Sequence, residues 1–522
     1  MWWRAAVLYQ IYVRSFADAN GDGHGDLPGI RSKLDYLEWL GVDAIWLTPI
    51  HPSPNADWGY DVADFYGVHP DYGTLDDLDA LIADAGARGI KVLLDVVPNH
   101  TSNEHPWFSD PAKRDWYVWA DEPNNWTSTF GGSAWTKHPE VGRFYLHNFL
   151  PEQPDLNWWN EGVRKEFEET LRFWFDRGIA GFRIDVAHAL VKDEQLRDNP
   201  IVGKAKDPRE ERVYNMNRPE VHEIYRRWRR IAREYDAERL LIGETWVSDL
   251  AELAKYYGDD DELHLPMIFP FTVADFDAAE LRAVVEGAEQ AFPTGAWPVW
   301  CGSNHDVVRF PTRWCLGDES KIRCALLLLL GLHGTPILYY GDELGMEQVA
   351  IPKRDQLDVA HNRDGARTPM PWGPTADREW WIRHGDLTRN VEDMRADETS
   401  TLWFTRELVE ARRAFGPAMT TLDTPDGVWA WRRGESAVVA VNLGERNAEV
   451  RGVQGRIRLD TRGARRGESV EATLRLGPWE GAVVLPNSAP NSFDADGGRV
   501  LAIDRRDFDV LGRELGFVLL PQ

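Results

Sequence analysis

The chain has 522 residues, with 85 Asp and Glu against 59 Lys and Arg, and its formal net charge of −26 repels nucleic acid and anionic membrane alike. Neutral substrates fit such a surface better. Cys301, Cys315 and Cys324 are an odd number without zinc-like spacing, which favours buried reduced thiols over a disulfide framework.

From the N-terminus, apolar strand-like runs alternate with amphipathic helical stretches. Residues 6–16, AVLYQIYVRSF, form the first run. Residues 29–40 then place Ile30, Leu34, Leu37 and Leu40 on one helical stripe, and residues 43–50, DAIWLTPI, return to a strand. Thr74 followed by Asp77 marks a helix start, Leu78, Leu81, Ile82 and Ala85 supply its apolar stripe, and residues 91–97, KVLLDVV, form the third strand. Between Thr101 and Gly162 the periodicity stops, and Pro, Asn, Gly and seven tryptophans accumulate, as in a subdomain inserted after that strand. Strand-like runs resume at GFRIDV, RLLIGET, LPMIFPF, WPVWCGSNHD and TPILYYGDE, which makes eight. Such strands separated by helices require a parallel sheet covered by helices, so the expected fold is α/β, a (β/α)8 TIM barrel. The barrel is expected over residues 1–100 and 164–424, with the inserted subdomain at 101–163. A C-terminal antiparallel β-sandwich is expected over 425–522, where short alternating runs such as VWAWRR and SAVVAVNL appear. No basic-then-apolar leader is present, and the leucine run Leu326 to Leu330 is far too short to span a bilayer. A soluble, cytoplasmic monomer or homodimer is therefore expected.

Three carboxylates stand at the ends of strand-like runs: Asp185 in GFRIDV, Glu244 in LLIGET and Asp306 in GSNHD. Strand ends on one face of a barrel converge on a single site. Cleaving a glycosidic bond needs one acid to protonate the leaving oxygen and a second to meet the oxocarbenium-like carbon from the other side. Arg183, two residues before Asp185, shares its side of the strand, and a guanidinium there is expected to keep the nucleophile ionised. In ADANGDGHGD, Asp18, Asn20, Asp22 and Asp26 fall at alternating then wider spacing, with His24 able to offer its backbone carbonyl. Oxygen ligands spaced in this way in a Gly-rich loop suit a structural Ca2+.

The segments DVVPNH, GFRIDV, GET and NHD, in this order, resemble the four signature regions of the α-amylase superfamily, glycoside hydrolase family 13. WGYDVADF, YLHNFLPEQPDLNWWN and ARTPMPW are similar to its oligo-1,6-glucosidase and α-glucosidase branch. The resemblance implies Asp185 as nucleophile, Glu244 as general acid and base, and Asp306 as the third acid that binds ring hydroxyls. His100 and His305 would hold the same sugar. Asp57, Tyr60 and Arg367 would close the subsite for a terminal glucose, with Phe149 as a further wall. Valine at 186 goes, in that branch, with activity on α-1,6 or several linkages, while Ala187, His188 and Trp58 depart from the usual pattern. The implied activity is a retaining α-glucosidase acting on short α-glucosides. The alternatives are a glucosyltransferase or isomerase acting on sucrose, maltose or trehalose, and, more remotely, a non-catalytic binding subunit on the same barrel.

Overall fold

The computed structural model describes residues 1–204, 207–358 and 362–487. Eight parallel strands form its central sheet: β1 (Leu8–Ile11), β2 (Ala44–Leu47), β3 (Lys91–Val96), β4 (Gly181–Ile184), β5 (Leu240–Gly243), β6 (Leu265–Pro266), β7 (Val299–Cys301) and β8 (Thr335–Tyr339). Their neighbour order, β6-β5-β4-β3-β2-β1-β8-β7, curls into a nearly closed barrel whose two end strands, β6 and β7, do not pair. The helical turn after β6 spans that seam, where the Thr272 hydroxyl donates to the Cys301 carbonyl at 3.0 Å.

Alternation along the strands decides what the barrel contains. Leu8, Trp46, Leu93, Leu240, Ile242, Leu265, Val299 and Ile337 form one buried cluster that fills its interior. Two residues further along the same faces, polarity replaces that filling: Asp95 follows Leu93, Arg183 and Asp185 follow Gly181, and Glu244 follows Ile242. Gly181 allows β4 and β5 to come close, since a Cβ at that position would lie 2.3 Å from the Leu240 carbonyl oxygen.

Several elements are shorter than the sequence pattern suggests. The first run is a strand only over Leu8–Ile11. Val13–Phe16 is a helical turn, and the Val13 amide donates to Thr48 Oγ1 at 3.2 Å instead of continuing the ladder. The first helix is two, Leu27–Ser32 and Leu34–Leu40, broken where the Ser32 hydroxyl donates back to the Gly29 carbonyl at 2.6 Å. In LPMIFPF only Leu265–Pro266 is strand, because Pro270 sits in the first turn of a helix over Phe269–Val273. The Thr74–Asp77 signal is a complete capping box on the helix Leu75–Ala87, which buries Leu78, Leu81 and Ala85.

Between β3 and the helix Glu161–Asp176, short strands Trp119–Ala120, Trp135–Lys137 and Phe144–Leu146 form an antiparallel sheet over a small core of Ala120, Trp126, Ala134, Trp135 and Leu146. After β4 a second excursion carries the hairpin Ile201–Lys204 and Asp207–Glu210. At the C-terminal end, a six-stranded antiparallel sheet begins at Met419–Thr421 and faces a two-stranded one, Ala448–Arg451 with Thr473–Leu476. On its strand Val428–Arg433, Val428 and Ala430 face the small sheet, while Trp429 and Trp431 join the main core. The helix Glu319–Gly331 lies against that sheet, with the Trp431 indole donating to the Gly331 carbonyl at 3.0 Å, so its leucine run is buried by neighbours on all sides. Residues 488–522 of the expected C-terminal domain lie outside the described residues. All three cysteines are buried and free, and among the described residues no helix is long and apolar enough to cross a membrane.

Candidate active site

At the C-terminal ends of the strands, Arg183 of β4 is wholly buried and gathers three carboxylates. Its Nη1 donates to Asp95 Oδ1 at 2.8 Å and to Asp185 Oδ1 at 2.7 Å, and its Nη2 lies 2.8 Å from Glu244 Oε1. Tyr60 and Trp46 donate to the far oxygen of Asp95, at 3.0 and 3.2 Å. Beyond Asp185 the chain turns sharply. Val186 takes φ of 45°, a left-handed conformation that a β-branched residue avoids, and its amide donates to Glu244 Oε2 at 2.8 Å. The strained turn aims a donor at the second acid, as strain concentrated in sites commonly does.

Electrostatics at this cluster follow from burial. Desolvation pushes the Asp185 carboxyl well above its ordinary value, and the charges of Glu244, Asp95 and Asp306 add to this, while Arg183 opposes it. Desolvation likewise raises Asp95, to about 6 against the pull of Arg183. The expectation that Arg183 simply keeps Asp185 ionised is therefore incomplete: one guanidinium faces several acids, and their protonation belongs to the cluster.

Asp306 sits apart from that guanidinium with two arginines of its own. Arg363 Nη1 and Arg367 Nη2 each lie 3.1 Å from its Oδ1, and His305 Nε2 lies 3.0 Å from Oδ2. Burial opposes the charged form, but His305, Arg363 and Arg367 outweigh it and hold the Asp306 carboxyl well below the usual carboxylate range. The His305 ring stacks on Tyr60, centroids 5.3 Å apart and 6° from parallel, and burial holds its pKa far below that of a free imidazole. Asn99 Nδ2 lies 3.1 Å from His100 Nδ1, and His100 Nε2 lies 3.0 Å from the Tyr60 carbonyl oxygen and 3.1 Å from Gln153 Nε2.

These groups surround a cavity of about 330 Å³, large enough for a small ligand. Asp57, Tyr60, His100, Phe149, Asp185, Glu244 and Asp306, all expected from the sequence, line it; Arg183, His305 and Arg367 stand behind the wall. The expectation that Arg367 closes the subsite with Asp57 and Tyr60 requires correction, because Arg363 lines the cavity and Arg367 does not. Arg363 pairs with Asp57, donating through Nη2 to its Oδ1 at 2.6 Å. The intervening 3-10 turn, Arg363–Ala366, turns Arg363 into the cavity and leaves Arg367 buried against Tyr12, donating to the His305 carbonyl at 3.0 Å. Trp58, which departs from the branch's usual pattern, packs its ring on Trp381, centroids 5.0 Å apart.

Sequence reasoning missed four further contributors. Gln153, fully buried, donates to Asp57 Oδ2 at 3.0 Å. Trp246 is 44% exposed, stacks on Phe269 at 3.7 Å and donates its indole proton to Glu244 Oε1 at 3.1 Å. Phe130 of the inserted subdomain lines the cavity, with Arg363 lying 5.5 Å from its ring centroid. Asp95 shares strand parity with Leu93, the one signal that could have placed it in the barrel.

The loop expected to hold calcium wraps on itself. Asp18 accepts the amides of Gly21 at 2.6 Å and Gly23 at 2.9 Å, Asn20 accepts that of Asp22 at 2.9 Å, and Asp22 that of His24 at 2.8 Å. Asp26 accepts Ala19 at 3.1 Å and caps the next helix through Gly29. Gly21 and Gly23 both have φ near 86°, which glycine alone adopts freely. Arg378 Nη1 lies 2.9 Å from Asp18 Oδ2 and already supplies one positive charge. Among the described residues no three His, Cys, Asp or Glu side chains group as a metal site, so an ion would draw on the Asn20 carboxamide and backbone carbonyls as well.

The family model for the alpha amylase catalytic domain matches residues 10–421. A probable alpha-glucosidase of Rhizobium meliloti is 39% identical over 462 residues, 80% of this chain and 83% of its own. An oligo-1,6-glucosidase of Heyndrickxia coagulans is 34% identical over 524 residues, 85% of this chain and 92% of its own. Among solved structures, an alpha-glucosyl transfer enzyme, XgtA, has a TM-score of 0.85 at 37% identity, covering 93% of this chain and 99% of that one. The trehalulose synthase MutB of Pseudomonas mesoacidophila has a TM-score of 0.84 at 29% identity, with the same coverage.

Arg363→Ala strands Asp57 without its cation in a mostly buried setting and should lower stability by about 3–5 kcal/mol. Pairing it with Asp57→Asn should recover part of that loss, since Arg363 also pairs with Asp358 at 2.6 Å and Asp306 at 3.1 Å. Thermal melting of the single and double variants checks this, and a single variant that melts with the parent contradicts the buried pair.

Proposed function

The chain belongs to the α-amylase family, glycoside hydrolase family 13, as an enzyme of the α-glucosidase type, and we propose the following course for its reaction. It removes single glucose units from the non-reducing ends of short α-glucosides through a covalent β-glucosyl-enzyme. The observation that carries this reading is the Arg183 bridge. One guanidinium reaching Asp185 Oδ1 at 2.7 Å and Glu244 Oε1 at 2.8 Å holds the two carboxylates side by side, in keeping with the closer spacing of a retaining pair.

In the first step a carboxylate oxygen of Asp185 attacks the anomeric carbon as the bond to the leaving oxygen breaks, and Glu244 gives its proton to that oxygen. In the second, Glu244 takes a proton from water or an acceptor alcohol, whose oxygen displaces Asp185 and restores the α configuration. Asp306, held as a carboxylate, accepts hydrogen bonds from ring hydroxyls, and His100 and Tyr60 complete the sugar's cradle. The Asp57–Arg363 pair closes the end of the pocket away from the leaving group, which favours a chain terminus over mid-chain polymer.

A second reading, transfer or isomerisation of the glucosyl unit, is favoured by the likeness to XgtA and MutB and by the open face of Trp246 beside the general acid. Both readings use every residue named above. Buried free thiols suit a reducing, cytoplasmic setting. For the loop at 18–26, the spacing of the oxygen donors of Asp18, Asn20, Asp22, the His24 carbonyl and Asp26 in a Gly-rich loop supports a structural Ca2+, which would stiffen the first barrel loop and take no part in the chemistry.

Incubation with maltose, isomaltose, sucrose and trehalose, with products separated by chromatography, should yield free glucose and some transfer product. An isomerised disaccharide without glucose would replace hydrolysis by the second reading. Calcium should raise the melting temperature relative to chelator, and identical melting curves would remove the ion from the account.

A further inference from the structure

The excursion after β4 is tied at both ends to one buried carboxylate, Asp155. At its root, Lys192 Nζ lies 2.7 Å from Asp155 Oδ2 and donates to Asn99 Oδ1 at 2.6 Å. At its far end, Asn215 Nδ2 donates to Asn148 Oδ1 at 2.9 Å, and Asn148 donates to both oxygens of Asp155, at 2.9 Å from its amide and 2.8 Å from its side chain. Outward from Asn215, Asn199 Nδ2 donates to Asn215 Oδ1 at 2.8 Å and to Glu210 Oε1 at 2.6 Å. Glu210 in turn accepts the Thr127 amide of the inserted subdomain at 3.1 Å. Inward from Asp155, Asn99 Nδ2 lies 3.2 Å from Asp155 Oδ2 and 3.1 Å from His100 Nδ1, on the wall of the pocket. Asn199, Asn215, Asn148, Asp155 and Asn99 are all at most 2% exposed.

A buried chain of amides has no water to fall back on. Each group left without its partner costs about 1–3 kcal/mol, so the members hold or fail together. The hairpin excursion docks on the inserted subdomain at one end of this chain, and the ring that faces the sugar stands at the other.

We propose that Asn215 is a positioning residue: it couples docking of the rim excursion to the orientation of His100 in the glucose pocket. The proposal rests on the reading of His100 as a sugar-binding group. It implies that whatever loosens the docking of the excursion on the inserted subdomain also loosens the hold on the glucose, and that glucose binding in turn tightens the docking.

A double-mutant cycle on kcat/KM for an α-glucoside tests it, with melting curves to confirm folding. Asn215→Ala should lower kcat/KM roughly tenfold in the parent and less than about twofold in a His100→Asn background, because the relay then ends on nothing. If His100→Asn alone leaves kcat/KM unchanged, the reading of His100 fails and the relay with it. If His100→Asn impairs the enzyme but Asn215→Ala still costs its full factor, the relay alone is overturned. Should Asn215→Ala not fold, Asn199→Ala, one hydrogen bond further out, decides in the same way: non-additivity with His100→Asn supports the coupling and additivity overturns it.

Discussion

The site is organised by a single buried cation. Arg183 sits where the barrel's apolar filling gives way to its rim, and Asp95, Asp185 and Glu244 come from three adjacent strands to meet it. Three acids around one guanidinium carry more negative charge than it can neutralise, and burial raises the Asp185 and Asp95 carboxyls against its pull. Removing the cation would leave the acids to repel one another, and removing the acids would leave a charged side chain inside the barrel without a counter-ion.

The scaffold makes the arrangement cheap to specify. Alternation fixes which side chains point inward, parallel pairing fixes their height, and the polar residues need only occupy the last inward positions of adjacent strands. Asp306 reaches the same cavity from beyond β7, where His305, Arg363 and Arg367 give it an environment opposite to that of Asp185. Two carboxylates in one pocket are thus set apart by their neighbours, one pushed up and the other held down. The inserted subdomain contributes the outer wall, Thr129, Phe130 and Phe149 among its residues, and the excursion after β4 docks against it through Glu210 and Arg212.

Much of this was legible in the sequence because it follows strand parity. Asp185, Glu244 and Asp306 break apolar runs at their ends, and Arg183 shares a side with Asp185. What parity does not govern was harder to read. Arg363 and Arg367 lie four residues apart in one irregular segment, and only the 3-10 turn decides which of them faces Asp57. Phe130 enters from a region without periodicity. Trp246 has the parity of Glu244, but in a chain with 25 tryptophans its exposure could not be told from packing. Helix breaks such as that at Ser32 depend on a side chain competing for a carbonyl, which propensity does not register.

The central claim is that Asp185 and Glu244, held on one guanidinium, act in succession on the same carbon. Proton NMR of the glucose first released from an α-glucoside tests it most directly, before mutarotation mixes the anomers. The account predicts α-glucose as the initial product. Initial release of β-glucose would contradict it, because a single displacement would then have occurred in a site built for two.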